Sequence, residues 1–149
     1  MYRKDARRQI QEEGGVTLDL YESLEYWTDV LGLQEWDITL ETNCSPNDMT
    51  LSGVAGETEW SDTLRTAVIR IIHPKDWGER VVPFNPEKVL VHELLHLKFS
   101  ALDESGDPLR DKLTHRLVED FAKALTMVRL RGEKSNAAEE GEVEESHLK

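Results

Sequence analysis

The sequence predicts an α+β domain: an N-terminal helix, a three-stranded antiparallel sheet, a central buried helix and a long C-terminal helix. Three observations carry this. "EWDITLET" (35–42) and "TLRTAVIRIIHP" (63–74) alternate with the two-residue period of strands. No helical pattern separates the strand segments, which disfavours parallel crossovers and favours an antiparallel meander. "VLVHELLHLKF" (89–99) places apolar residues all round a helical wheel, the pattern of a buried helix.

Taken in order, residues 1–15, "MYRKDARRQIQEEGG", form a charged, flexible arm without the apolar segment of a secretory signal. Thr17 is the expected cap of a helix to about Leu31. Leu20, Leu24, Trp27 and Leu31 recur at helical spacing, and Gly32 stops it. In the first strand Trp36, Ile38 and Leu40 alternate with Asp37, Thr39 and Glu41. "CSPNDMTLSG" (44–53) is turn-rich, and "GVAGETEW" (53–60) is a second strand weakened by glycines. The third strand, 63–74, sets Leu64, Thr66, Val68 and Arg70 on one face. Arg65, Ala67, Ile69 and Ile71 lie on the other.

A loop with three prolines follows. Asn85 then caps the central helix, Pro86 takes its first position, and it runs to about Ala101 before "DESGDP" breaks it. Asp107-Pro108 opens a final helix through about Arg131, which Gly132 ends. Residues 16–132 thus make the domain. The stretch 133–149, "EKSNAAEEGEVEESHLK", reads as a disordered acidic tail with almost nothing to bury.

Length and composition fit one soluble globular domain: 149 residues, 38% hydrophobic and 32% charged. The formal net charge of −12 argues against a nucleic-acid partner, which demands clustered Lys and Arg. No apolar run approaches the roughly 20 residues of a membrane span. A single cysteine, Cys44, excludes an intramolecular disulfide and suggests a reducing cytoplasm.

The central helix carries titratable groups where it otherwise buries leucine. His92 and His96 are four apart and share one helix face, with Glu93 beside them. An ionised carboxylate there costs several kcal/mol uncompensated. A divalent cation compensates it: "HELLH" is a His-Glu-x-x-His motif, two imidazole ligands flanking a general base, and Zn2+ suits both imidazole and hydrolysis. The competing interpretation makes both histidines core residues bonded to backbone, with Glu93 reaching solvent. A catalytic zinc site usually has three protein ligands, and the last helix offers His115, after eighteen residues intervening from His96, and Glu119 one turn later. On that helix Leu113, Leu117, Phe121, Leu125 and Val128 are expected to form the apolar face. His115, Glu119, Ala122 and Thr126 line its flank.

These residues resemble the gluzincin metallopeptidases, especially the minimal, zincin-like ones encoded by phages and prophages. The likeness spans roughly residues 20–130 in layout, but only the metal motif is specific. It implies a zinc-dependent peptide-bond hydrolase: His92 and His96 as ligands, Glu93 as catalytic base, a third ligand on the next helix, and an acidic residue one turn on that orients the first histidine. His115 falls at the ligand position and Glu119 at the acidic one. The family has glutamate where this chain has His115, so Glu119 stands as the alternative ligand. A third-ligand histidine also looks like SprT-type metallopeptidases, whose shorter spacing and basic regions are missing.

A peptide substrate is expected to add to a sheet edge, at strand 63–72 or 53–60. His73 and Tyr26 are candidates for a second electrophile. Trp27, Trp36, Trp60 and Trp77 are expected in the core. The rival from another class is a catalytically degenerate zinc-binding interaction module, which would have no use for Glu93.

Overall fold

The computed structural model describes residues 19–78, 80–100 and 106–146, with 141–146 described by backbone alone. The expected arm at 1–15, the Thr17 cap and the first half of the "DESGDP" break lie outside these residues, and the central helix ends at Lys98 with Phe99 as its cap, short of the expected Ala101.

Helix α1 (Leu20–Val30) is capped by Asp19, whose carboxylate accepts from Tyr21 N–H at 2.9 Å. It ends where Gly32 turns left-handed at φ 65°. Strands β1 (Asp37–Cys44), β2 (Gly56–Ser61) and β3 (Thr66–Ile72) form one sheet. A short α2 (Pro74–Trp77) precedes α3 (Pro86–Lys98) and α4 (Pro108–Ser146). Among the described residues this is an α+β fold with one three-stranded sheet, as expected, and four α-helices, the short α2 falling where a loop was expected.

The sheet is not an antiparallel meander. Its order is β1-β3-β2, with β2 antiparallel to β3 but β1 parallel to it. The β2–β3 hairpin is local, as its tight turn requires. β1 lies on the far side of β3, because the long 45–55 connection lets the chain pass over a position. The arrangement gives the most apolar strand two neighbours, with Ile69 and Ile71 almost wholly buried beneath the helices. The charged β2 is left at an edge, where charge blunts unwanted pairing. On the outer face Arg70 aligns with Glu41 and Glu57 and pairs with both, and with Glu59. Glu57 is buried because it also accepts from the Thr50 and Leu51 N–H groups at 3.0 Å, fastening the 45–55 loop to the sheet.

Helix α3 is buried all round, with Leu90, Val91 and Leu94 at 0% exposure, packed against Leu24, Trp27, Ile69 and Val118. Arg129 ties α4 to α1 and α3 by pairing with Glu87, which also accepts from Trp27 Nε1. Two expectations for the last helix fail. It continues through Gly132 to Ser146, because the flanking Lys, Ala and Glu are strong helix formers and one solvated glycine costs only about 1 kcal/mol. The acidic 133–146 segment is therefore helical. And its core face is Val118, Ala122 and Thr126; Leu113, Leu117, Phe121 and Val128 are exposed.

Candidate metal centre

The site is assembled by two helices that approach closely. Asn85 accepts from Lys88 N–H at 3.0 Å and fixes the start of α3, so His92 and His96 stack one turn apart. The small buried residues of α4, Ala122 and Thr126, let the two axes come together. His115 and Glu119, preceding Ala122 by about two turns and one, then face α3.

The structure brings His92, His96 and His115 together, each offering a ring nitrogen within 4.8 Å of the others. His92 Nε2 and His96 Nε2 are 3.1 Å apart. Tetrahedral bonds of about 2.0–2.1 Å would set two ligating nitrogens roughly 3.4 Å apart. The donor set therefore fits a small divalent cation with little movement, and three imidazoles suit zinc, copper, iron or nickel. Among the described residues no fourth His, Cys, Asp or Glu joins the group.

Glu119 stands behind His92: its Oε2 lies 2.8 Å from His92 Nδ1, and its Oε1 accepts from Lys88 Nζ at 2.6 Å. Burial alone would raise the Glu119 carboxyl, but the bonds from Lys88 and His92 outweigh it and hold the pKa below the usual range. Burial pushes His92 below its ordinary value, against the pull of Glu119, and favours the neutral ring. An ionised Glu119 makes Nδ1 the protonated nitrogen, which leaves the Nε2 lone pair turned to the other histidines.

Glu93 is 6% exposed, and burial pushes its pKa up to about 7, opposed by a hydrogen bond that Thr58 Oγ1 donates to Oε2 at 2.6 Å. Thr58 and Gly56 are functional neighbours that sequence reasoning missed. A Cβ on Gly56 would lie 2.6 Å from Val89 Cγ1 and 3.1 Å from Glu93 Oε1, so only glycine lets β2 approach α3 this closely. The glycine inside a strand pattern was the available signal.

A cavity of about 340 Å3 opens over the group. His92, Glu93, His115 and Glu119 line it together with Val54, Ala55 and Gly56, while Trp77, Val82 and Phe84 form an apolar wall. Trp77 is thus a cavity residue, held by its Nε1 bond to Val82 O at 3.0 Å. Trp27 and Trp36 are buried as expected, and Trp60 packs half-buried on the core. Neither candidate second electrophile lines the cavity. His73 caps α2, its Nδ1 accepting from Lys75 N–H at 3.0 Å. Tyr26 lies under the Arg129 guanidinium, 4.1 Å from it. The lone Cys44 is buried and free. No described helix is long and apolar enough to cross a membrane.

Comparison with protein-family models, with curated proteins and with solved structures gives no match.

Proposed function

We propose that this chain is a zinc-dependent metalloendopeptidase, similar in plan to the minimal gluzincins, with His92, His96 and His115 holding the metal and Glu93 as general base. The observation that carries the reading is the meeting of three imidazoles beside a buried carboxylate at one cavity. Zinc, when bound, supplies a Lewis acid and an acidified water.

The chain's own residues do the rest. Glu119, fixed by Lys88, holds the His92 proton on Nδ1 and keeps Nε2 free to ligate. Thr58 occupies Glu93 Oε2, which leaves Oε1 to accept the proton of the attacking water. Glu93 then returns that proton to the leaving amine. The peptide adds along the outer edge of β2, not to β3, which is central. An apolar side chain of the peptide rests against Trp77, Val82 and Phe84. The buried free thiol of Cys44 fits a reducing cytoplasm.

A peptide library presented to the zinc-loaded protein and its Glu93→Gln variant tests this. The variant should keep its metal and lose about 10^2–10^4-fold in kcat, the usual weight of a general base. Undiminished cleavage would remove Glu93 from the mechanism. Metal binding with no cleavage by either protein would favour an interaction module.

A further inference from the structure

Helix α4 has a second apolar face, turned away from the core. Leu109, Leu113, Leu117, Met127 and Val128 are each between 45% and 67% exposed. At 100° per residue they lie on the side opposite Ala122 and run along about 30 Å of helix. Single exposed leucines are ordinary; an apolar stripe of this length marks an interaction surface.

We propose that this face is the interface of an antiparallel homodimer, α4 packing on α4 of a second copy. Charges set on this face select the partner and its direction. Asp120 lies within the stripe and Arg116 borders it one turn earlier, and neither has an ion-pair partner among the described residues. With a twofold axis at the level of residue 118, Arg116 of each copy faces Asp120 of the other. Leu109 then meets Met127, Leu113 meets Ala124, and Leu117 meets its own counterpart. Such an isologous contact is self-complementary by symmetry.

Like charges on this face disfavour the parallel alternative. Side by side in parallel, the two helices would set Arg116, Asp120 and Arg131 of one chain against the same residues of the other. Antiparallel packing puts Arg116 opposite Asp120 instead. It also leaves the histidine cluster free, since His115 faces α3 from the other side of α4. The dimer does not depend on the peptidase reading.

Sedimentation equilibrium of the full chain over a concentration series tests the proposal. Wild type should give a dimer mass, and Leu113→Glu with Leu117→Glu a monomer with unchanged helical circular dichroism. Asp120→Arg should weaken the dimer on the order of tenfold through repulsion, and adding Arg116→Asp should restore it. Under mild oxidation Leu117→Cys should cross-link two copies, whereas Arg131→Cys should not. A wild-type monomer throughout, or a dimer indifferent to the two glutamates, would overturn the interface. Cross-linking through Arg131→Cys as readily as through Leu117→Cys would overturn its direction.

Discussion

Glu93 is the residue on which burial and chemistry pull in opposite directions. Its folded pKa of about 7 stands above the ordinary 4.5, so the fold favours the protonated carboxyl. That stabilising contribution is fully present below about pH 4.5 and is lost as the pH rises through 7. His92 works in the other sense. Burial depresses it below 6.5, so its contribution is present above 6.5 and fades as the pH falls. Comparing two proteins separates them: in chelator, the urea midpoint of Glu93→Gln minus that of wild type should grow as the pH climbs from 4.5 to 7. A difference flat across that window would mean that burial does not perturb Glu93. Gly56 makes a second residue-scale prediction. Gly56→Ala drives a methyl into Val89 and toward Glu93 and should cost about 1–3 kcal/mol of stability in denaturant titration. A neutral result would show that β2 can retreat from α3.

At the scale of elements, α3 was the most legible part of the chain. Val89, Leu90, Val91, Leu94, Leu95 and Leu97 cover every direction of the wheel, and all are buried. The same reasoning misread α4, because that helix is apolar on two sides. Helical spacing put Leu113, Leu117 and Phe121 on the face expected to meet the core. The core took Val118, Ala122 and Thr126 instead, because α3 approaches too closely for larger side chains. Periodicity gives a helix its faces but not which of two a neighbour will cover. Gly132 misled for a related reason: a C-terminal glycine stops a helix only where the chain must turn, and nothing at this one requires a turn. With nothing within 4 Å of its missing Cβ, Gly132→Ala should raise helicity and stabilise α4 by roughly 0.5–1 kcal/mol, read by circular dichroism during thermal melting. A loss of helicity would show that the helix ends at residue 132 after all.

For the whole molecule, the strand segments were legible within a few residues, and their order was not. The β2–β3 hairpin is decided by the short turn at 62–65 that joins the two strands, whereas the place of β1 depends on a partner some thirty residues away. The candidate site divides along the same line. His92, Glu93 and His96 lie within one helical turn, and their adjacency follows from helix geometry. The meeting of His115 with them, and the retreat of Glu119 behind His92, depend on how two helices pack. Thr58 reaches Glu93 from a strand 35 positions earlier, beyond any spacing rule.

All of this converges on whether a metal sits among the three imidazoles, and elemental mass spectrometry of the purified chain addresses it most directly. The account predicts about one zinc per chain, lost in His92→Ala and in His115→Ala but retained at saturating zinc in Glu119→Gln, whose carboxylate only supports His92. A chain that stays metal-free when offered zinc, or one whose zinc survives His115→Ala and leaves with Glu119→Gln, would contradict it.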